Sequence, residues 1–519
     1  MRVTHRVKDS NMHTIGFICD DGQFYTDYIV RDNIDLIDNL RLLSKGSFRA
    51  DNELPIKYWS DIMKARYHKL ITEYPMVRDI QESLITWKKW PNRKILQLEG
   101  SRQIGKTTEL KKFGHKFYEY VIYVNLATHE ALLKEMMDKA GINGVGMEFI
   151  CRKLNLPHYV DNRKTLFIID EIQISSDIYN RIREFESNLN CDIIVTGSYL
   201  GQTLKKEYFK PAGTIMIMKM FPLSFNEFVR VFEKEHLLKN IDALGTSDDE
   251  DYIEIYKLYD LYRKLGGYPE VVYTYKKSKN IEISLSVYES IFTAFERESG
   301  FYFKDSKEPL IFKSVFQEAV RIMVLEKKGN GGKLVEVVTE LVKKSQKMLV
   351  SRDEVSNAVQ WLIYSGILGE CDLCNNGSMK EIIPARRIYY TDCGLLYYVC
   401  SKMSIEQSDL DGILTETFAY SELNRLYNEF GVTKRVKGNT PCFSTYQGYE
   451  LDFMILGKDN TIFGIEVKTQ KGDPKSLKIY TDKKLITKGI LAKRTKGGKS
   501  DNYCTIPIFT ISTHFPYDK

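Results

Sequence analysis

Residues 100–107 have the composition and spacing of a loop that binds nucleotide phosphates. They read GSRQIGKT and lie between an apolar run and the predicted helix TTELKKFGHKF. Gly100 and Gly105 permit the tight turn that points backbone N–H groups at phosphate, and the helix N-terminus adds the positive end of its dipole. We expect Lys106 to reach the β- and γ-phosphates and the Thr107 hydroxyl to bind Mg²⁺. The predicted ATP contacts are Gly100, Ser101, Arg102, Gln103, Ile104, Gly105, Lys106, Thr107 and Thr108.

A carboxylate pair, Asp170 and Glu171, ends the apolar stretch TLFII. At the end of a strand, Asp170 would hold Mg²⁺ through water, and Glu171 would polarise the water that attacks the γ-phosphate. The alternative is a pair that caps the next helix. The phosphate loop about 65 residues upstream favours the catalytic interpretation.

The apolar stretch CDIIV is followed by Thr196, Gly197 and Ser198. Ligands of parallel sheets lie beyond the carboxyl ends of the strands, so a hydroxyl here is in place to sense the γ-phosphate. We predict Thr196 as this catalytic sensor, with Ser198 second and a simple turn as the alternative.

A second candidate site lies nearer the C-terminus. Glu416 is on a predicted helix, Asp452 is in YELDFMIL, and Glu466 and Lys468 are in GIEVKTQ. The E-x-K spacing places two side chains on one face of a strand, and Glu450 would share the face of Asp452. Carboxylates are hard ligands for Mg²⁺, and an amine stabilises transition-state charge. The pattern is similar to the D…E-x-K core of restriction-endonuclease-like nucleases, so we predict Mg²⁺ at Asp452 and Glu466; chance spacing on a surface strand is the alternative.

The charge of the chain is unevenly distributed. The 519 residues carry a formal net charge of +6, whereas residues 468–499 contain eleven Lys/Arg and two Asp. A basic stretch beside carboxylates predicts a surface for the phosphate backbone of DNA or RNA, and a solvated lysine-rich edge is the alternative. Tyr480 is nearly the only aromatic residue within it, so base stacking has little support.

The surrounding sequence predicts an α/β multidomain chain. Its length favours several domains. Residues 1–75 form an N-terminal appendage, with a hairpin around Asp-Asp-Gly and then a helix over DNIDLIDNLRLL. Residues 76–235 alternate helices with the apolar runs KILQLEG, YVIYVNL, KTLFIIDE, CDIIVTGS and TIMIMKMF. Such runs are typical of a parallel sheet covered by helices, here the P-loop core.

The second half continues with a helical segment, residues 236–300, and an α/β unit over residues 405–519. Between them, residues 301–404 have the order helix–helix–hairpin of a winged helix, with a capping box at Ser351. The hairpin turn is predicted at residues 375–377. DNA reading by this winged-helix-like domain is doubtful because the candidate recognition helix carries a single cation, Arg352.

Several function classes are not expected. No apolar run approaches the ~20 residues that span a bilayer, and the start lacks the pattern of a signal peptide. The nine cysteines are scattered, and their odd number favours free thiols in a reducing cytosol. Cys371 and Cys374 form one CxxC pair without a second, so no structural zinc is expected. We therefore expect a cytoplasmic protein without a membrane partner.

In chain order, the segments GSRQIGKTT, IIDEIQ, VTGSYL, FPLSFNEF and GGYPE resemble prokaryotic AAA-type ATPases with a C-terminal restriction-endonuclease-like domain of unknown function. The resemblance covers about residues 80–475. It implies an AAA+ core, a helical lid, a restriction-endonuclease-like C-terminal domain and assembly into a ring-like homo-oligomer. It also supports the roles assigned to Lys106, Thr107, Asp170 and Glu171.

One departure from that family concerns an arginine. The family usually has Gly-Arg before the edge strand, and this chain has Gly-Thr at residues 213–214. Lys210, Arg181 and Arg183 are the alternatives for a cation that contacts nucleotide or a neighbouring subunit.

Three functions fit these features. The first is an ATPase that controls a DNA-directed, nuclease-like domain in defence or DNA handling. The second is a nucleotide switch whose C-terminal domain is inactive and only binds a partner. The third is a nucleotide-dependent protein-interaction module built on the winged helix and the N-terminal appendage.

Overall fold

The chain divides into two compact units, Met1–Gly100 with Gly105–Met220, and Ser101–Ile104 with Phe221–Lys519. The computed structural model describes most of the chain from residue 66 onward and four short strands before it. The described residues are 3–8, 14–19, 24–26, 47–49, 66–92, 94–154, 156, 158–198, 208–209, 213–242, 247–302, 308–328, 333–346, 350–431, 434–469, 473–500 and 503–513.

The N-terminal strands form a four-stranded sheet in the order β3-β2-β1-β4. Their bounds are β1 Val3–Lys8, β2 Thr14–Cys19, β3 Phe24–Thr26 and β4 Ser47–Arg49. The predicted hairpin is confirmed, because β2 and β3 pair antiparallel with Phe17 opposite Tyr25. The helix predicted over DNIDLIDNLRLL lies outside the described residues.

A five-stranded parallel sheet in the order β6-β7-β8-β5-β9 follows. Its strands are β5 Ile95–Glu99, β6 Tyr120–Asn125, β7 Thr165–Asp170, β8 Asp192–Thr196 and β9 Ile215–Lys219. All five predicted strands are therefore confirmed. Every residue of β7 and β8 is buried, as expected for strands covered on both faces.

In the described part of the first unit, residues 66–73 are helical and further helices accompany the sheet. They are α1 Ile80–Lys89, α2 Lys106–Phe117, α3 Leu126–Lys139, α4 Gly144–Lys153, α5 Ser176–Asn180 and α6 Ile182–Asn188. The side chains of Asn125 and Asn143 accept hydrogen bonds from the first N–H groups of α3 and α4. A short 3₁₀ turn, Ile172–Ile174, directly follows the carboxylate pair at the end of β7.

The second unit begins with a run of helices. This run includes residues 236–300, which the sequence predicts to be helical. Its helices are α7 Phe225–Val231, α8 Glu235–Asn240, α9 Asp249–Leu265, α10 Pro269–Ser278 and α11 Ile281–Tyr302. The Leu223 N–H donates to the Gly267 carbonyl at 2.6 Å, and a Cβ on Gly267 would lie 2.2 Å from the Leu223 oxygen. The Gly267 N–H donates to buried Asp392 at 2.7 Å. The segments FPLSF and GGYPE are thus joined by close backbone contact.

Three helices and a hairpin come next: α12 Glu308–Lys327, α13 Leu334–Gln346, α14 Arg352–Tyr364, β10 Leu368–Asn375 and β11 Ile382–Tyr390. The capping box at Ser351 is confirmed. The hairpin β10–β11 is present, but β10 also pairs in parallel with the strand that begins at Val436. The hairpin is therefore part of a larger sheet, because the edge of β10 that faces away from β11 is paired with another strand. This sheet crosses the domain boundary predicted at residue 404.

That sheet has eight strands in the order β11-β10-β12-β13-β14-β15-β17-β16. The remaining elements are α15 Cys393–Ser401, α16 Gln407–Tyr427, β12 Val436–Tyr446, β13 Tyr449–Gly457, β14 Ile462–Lys468, α17 Lys475–Asp482, β15 Lys488–Lys493, β16 Gly498–Lys499 and β17 Cys504–Pro507. Cys371 and Cys374 are buried free thiols on β10. Among the described helices, none has the length and apolar character needed to cross a membrane.

Candidate functional site

The loop at residues 100–107 turns through three positive φ angles, 151° at Gly100, 61° at Gln103 and 93° at Gly105. This backbone leads directly into α2, which begins at Lys106. The Lys106 ammonium is buried and donates to the Gly100 carbonyl at 2.8 Å. The amine is thereby held over the loop that the sequence predicts as the phosphate cradle.

Asp170 is the centre of a hydrogen-bond network at the end of β7. Its Oδ2 accepts from the Thr107 hydroxyl at 2.7 Å and from the Tyr123 hydroxyl at 2.8 Å. Its Oδ1 accepts from the Glu171 N–H at 2.9 Å. The structure thus brings together Thr107 and Asp170, as predicted. Tyr123, on the neighbouring strand β6, was missed, because only the pairing of β6 with β7 places it here.

Glu171 has a left-handed backbone, with a φ of 54°. The Gln173 amide donates to its Oε2 at 2.5 Å, and the Ser198 hydroxyl donates to its Oε1 at 3.4 Å. A non-glycine residue with positive φ marks local strain, and such strain gathers at functional sites. Gln173 was not predicted from the sequence. Its place in IIDEIQ, two residues after Glu171, is the signal that was available.

The predicted γ-phosphate sensor lies at the last residue of β8. Thr196 is fully buried, and its hydroxyl donates to the Leu98 carbonyl of β5 at 2.9 Å. Its side chain therefore bridges two strands inside the sheet. Ser198, two residues later, reaches Glu171 instead.

The C-terminal candidates Asp452, Glu466 and Lys468 lie on the adjacent strands β13 and β14. The register that pairs Phe453 with Ile465 brings Asp452 alongside Glu466. Lys468 Nζ lies 2.9 Å from Glu466 Oε1. Asp452 Oδ2 accepts from the Val467 N–H at 2.6 Å. We call Glu416, Asp452, Glu466 and Lys468 the carboxylate cluster.

Glu416 joins the carboxylate cluster from α16. Burial raises the pKa of the Glu416 carboxyl, the charge of Lys327 lowers it, and the charge of Asp452 raises it. The Lys327 ammonium lies 2.8 Å from Glu416 Oε1. Lys327 is the last residue of α12, and the sequence offered no signal for it because α12 and α16 are distant along the chain.

Two further groups flank the cluster. Glu450 is paired with the Arg387 guanidinium at 2.6 Å, so it is directed toward β11. Burial raises the pKa of Glu326, next to Lys327, to about 7. Within the described ranges, no group of three His, Cys, Asp or Glu side chains is arranged to hold a metal ion. The cluster therefore offers Asp452 and Glu466 as a pair, with Glu416 bound to an ammonium group.

Comparisons with known proteins identify part of the chain. Residues 92–229 match the family described as "AAA domain", and residues 256–406 match a domain of unknown function, DUF8612. The first match contains the loop, Asp170, Glu171 and Ser198. Residues 92–229 form an AAA-type P-loop ATPase domain.

One curated protein and two solved structures are also similar to parts of this chain. An uncharacterized protein of Haemophilus influenzae is 30% identical over 128 residues, which cover 25% of this chain and 28% of that protein. The Walker-type ATPase of Pyrococcus abyssi is 12% identical, over 62% of this chain and 95% of that one, with a TM-score of 0.39. The RuvB Holliday junction branch migration motor of Thermotoga maritima is 14% identical, over 64% and 96%, with a TM-score of 0.28.

The side chains of the ATPase domain fit ATP and Mg²⁺. A hydroxyl and a carboxylate, 2.7 Å apart on Thr107 and Asp170, are the hard oxygen ligands that Mg²⁺ prefers. Lys106 and the N-terminus of α2 supply positive charge for phosphate. Of the alternative cations, Arg181 Nε lies 3.5 Å from Asp177, Arg183 is exposed on α6, and Lys210 lies outside the described residues.

The surface of the basic stretch, residues 468–499, carries less uncompensated positive charge than its sequence indicates. Four of its cations are paired with carboxylates of the same unit: Lys468 with Glu466, Lys478 with Asp473, Arg494 with Asp260, and Lys496 with Asp249. Lys475 and Lys483, at the two ends of α17, are exposed. Only part of the formal charge is therefore directed to solvent.

Proposed function

We propose that this chain hydrolyses ATP and couples hydrolysis to a nuclease-like C-terminal domain that acts on DNA or RNA. The observation that carries the ATPase part is the 2.7 Å hydrogen bond between Thr107 and Asp170. It joins the helix that follows the phosphate loop to the strand whose next residue is the candidate base. We also propose a homo-oligomer, as the resemblance in the sequence implies, and a cytoplasmic location, as the scattered cysteines indicate.

The hydrolytic step follows from the residues around Glu171. Bound Mg²⁺ would neutralise charge on the β- and γ-phosphates. Glu171 accepts a proton from the attacking water, and Lys106 stabilises charge on the phosphates. Gln173 and Ser198 hold the two carboxylate oxygens of Glu171 at 2.5 and 3.4 Å. Each carboxylate oxygen can accept a further hydrogen bond, so Glu171 can bind water while Gln173 orients it. Gln173 is therefore a positioning residue for the base.

The proposal for the C-terminal domain rests on the carboxylate cluster. Asp452 and Glu466 provide oxygen ligands for Mg²⁺, and Lys468 provides an amine beside them. The α17 N-terminus donates to Glu466 through the Leu477 N–H at 3.2 Å, which orients that carboxylate. The alternative is an inactive partner-binding module, and the 2.9 Å pairing of Glu466 with Lys468 favours it, because both groups already satisfy each other.

The first experiment measures Mg²⁺-dependent ATP hydrolysis with and without duplex DNA. We expect turnover by the wild type, none by Lys106→Ala, and stimulation by DNA. Lys116→Ala is the matched control, because Lys116 is an exposed lysine on the same helix. Equal turnover by wild type and Lys106→Ala would remove the ATPase proposal. Turnover that is indifferent to DNA would favour the partner-binding alternative.

The second experiment tests cleavage directly. Asp452→Asn with Glu466→Gln should abolish Mg²⁺-dependent cleavage of DNA or RNA while leaving ATP turnover in place. Asp459→Asn is the control, because Asp459 is an exposed carboxylate in the turn between β13 and β14. If the wild type cleaves neither nucleic acid, the C-terminal domain is the inactive module.

A further inference from the structure

Two hydroxyl groups donate to the same oxygen of Asp170. The Thr107 hydroxyl reaches Oδ2 at 2.7 Å from the start of α2, and the Tyr123 hydroxyl reaches it at 2.8 Å from β6. The other oxygen, Oδ1, accepts from the Glu171 N–H at 2.9 Å. An ionised carboxylate has about four lone-pair positions for hydrogen-bond donors. Three of them are therefore used, and the position that remains is on Oδ1.

The Tyr123 side chain is held in place by groups on both sides of its hydroxyl contact. The Lys111 ammonium, from α2, lies 3.9 Å from the centroid of the Tyr123 ring. The Asn125 amide donates to the Tyr123 oxygen at 3.4 Å, and the two residues share one face of β6. Asn125 is itself fixed, because its Oδ1 accepts from the Ala127 N–H at 2.8 Å. The hydroxyl is thus kept at Asp170 by its surroundings as well as by its own hydrogen bond.

The number of oxygen positions that Asp170 leaves open affects which divalent ion the nucleotide site accepts. Mg²⁺ keeps several of its waters and requires nearly octahedral geometry, whereas Ca²⁺ takes about six to eight oxygen ligands and binds carboxylates through one or both oxygens. Because two hydroxyls occupy Oδ2, Asp170 has one position, on Oδ1, for a water held by the ion. Direct contact of both oxygens with an ion would require the loss of these hydrogen bonds.

We propose that Tyr123 selects Mg²⁺ over Ca²⁺ at the nucleotide site, because its hydroxyl occupies Asp170 Oδ2 and limits this carboxylate to contact through water. Tyr123 is a positioning residue, since it acts on the ion through Asp170. The observation that carries this role is the 2.8 Å hydrogen bond between the two side chains. The role rests on the proposed function, because it requires a complex of ATP and metal at Thr107 and Asp170.

The test measures the affinity of the full chain for a fluorescent, non-hydrolysable ATP analogue in Mg²⁺, in Ca²⁺ and in EDTA. We expect the wild type to bind more tightly with Mg²⁺ than with Ca²⁺. Tyr123→Phe removes the hydroxyl and should lower this preference about tenfold, as for other groups that orient a metal ligand. Tyr123 is half-buried and the variant keeps the ring beside Lys111, so it should fold.

Tyr120→Phe is the matched control. It removes a phenol hydroxyl from the same strand, but Tyr120 pairs with Thr165, at the opposite end of β7 from Asp170. This variant should keep the wild-type preference for Mg²⁺. The affinity in EDTA should be equal in all three proteins, because without a metal ion the hydroxyl has nothing to select.

The outcomes separate this role from the proposed function. If Tyr123→Phe keeps the wild-type preference, or the wild type has none, the role of Tyr123 is overturned whether or not ATP is hydrolysed. If Tyr123→Phe weakens binding equally in Mg²⁺, Ca²⁺ and EDTA, the hydroxyl only maintains the shape of the site and the selection is likewise overturned. If the preference is lost but the wild type does not turn over ATP, the role stands and the proposed hydrolysis fails. A wild type that does not bind the analogue would remove both.

Discussion

At the scale of single residues, the ATPase domain is organised around two neighbouring carboxylates with different surroundings. Asp170 accepts three hydrogen bonds and is buried. Glu171 accepts two side-chain hydrogen bonds, from the Gln173 amide at 2.5 Å and the Ser198 hydroxyl at 3.4 Å, and its backbone is left-handed. We propose that Asp170, fixed by three hydrogen bonds, helps to hold Mg²⁺ and that Glu171 accepts the proton of the attacking water.

The hydroxyls of Thr196, at the end of β8, and of Ser198, two residues later, give a direct test of the predicted sensor. Ser198→Ala removes the hydroxyl that reaches Glu171, so we expect ATP turnover to fall at least tenfold with little change in stability. Thr196→Val removes the bond to Leu98, so we expect a loss of about 1 kcal/mol in unfolding free energy with turnover nearly unchanged. Steady-state ATPase assays and urea unfolding measure both. A larger loss of turnover in Thr196→Val than in Ser198→Ala would identify Thr196 as the sensor.

At the scale of elements, α2 is anchored by a buried ion pair. Glu109 and Lys112 are 5% and 7% exposed with charged atoms 2.8 Å apart. The Gln81 amide donates to Glu109 at 2.7 Å, and Lys112 donates to the Met76 carbonyl at 3.1 Å. The helix that carries Lys106 and Thr107 is thus fixed by polar contacts as well as by its apolar face.

Breaking the ion pair of Glu109 and Lys112 should lower the free energy of unfolding. Lys112→Met leaves the Glu109 charge buried without its ion partner, so we expect about 3 kcal/mol of destabilisation. The matched control is Lys139→Met, which breaks the pair with Glu135 on α3, where the two side chains are 70% and 35% exposed. That change should cost less than about 0.5 kcal/mol. Urea unfolding of the full chain compares the two, and equal losses would contradict the anchoring role.

The close backbone contact between FPLSF and GGYPE gives a second prediction at the scale of elements. A methyl group on Gly267 would collide with the Leu223 backbone at 2.2 Å, so Gly267→Ala should cost about 3 kcal/mol or more. Gly144→Ala is the control, because nothing lies within 4 Å of its added Cβ and it begins α4. Hydrogen exchange should rise across α9 and α10 in the first variant alone. Unchanged exchange there would show that the contact is not needed.

These elements also show what the sequence can predict. The five core strands were predicted because buried parallel strands are continuous apolar runs, and the capping box at Ser351 is a local pattern. The pairing of β10 with β12 was missed, because strands that are separated by β11, α15 and α16 leave no local signal of their pairing. For the same reason Tyr123 and Lys327 were missed, since each reaches its site only through the packing of distant elements.

At the scale of the whole molecule, the chain combines an AAA-type ATPase domain with a second unit that contains the carboxylate cluster and the basic stretch. The formal charge outside residues 468–499 is negative, because the whole chain carries only +6. We propose that a nucleic-acid ligand binds at this stretch, through those of its cations that are not paired with carboxylates.

The exposed lysines of the basic stretch should determine how binding depends on salt. Each phosphate contact contributes about 0.9 to the log–log slope of affinity against salt, so Lys475→Ala with Lys483→Ala should reduce the slope by about 1.8. Arg494→Ala is the matched control. Its guanidinium already pairs with Asp260 at 2.6 Å, and Asp260 keeps Arg263 at 3.0 Å, so the slope should not change. Fluorescence anisotropy with a labelled duplex across a series of KCl concentrations measures all three proteins. An equal reduction by Arg494→Ala would mean that internal ion pairs open on binding, and a flat salt response of the wild type would remove nucleic acid as the partner of this surface.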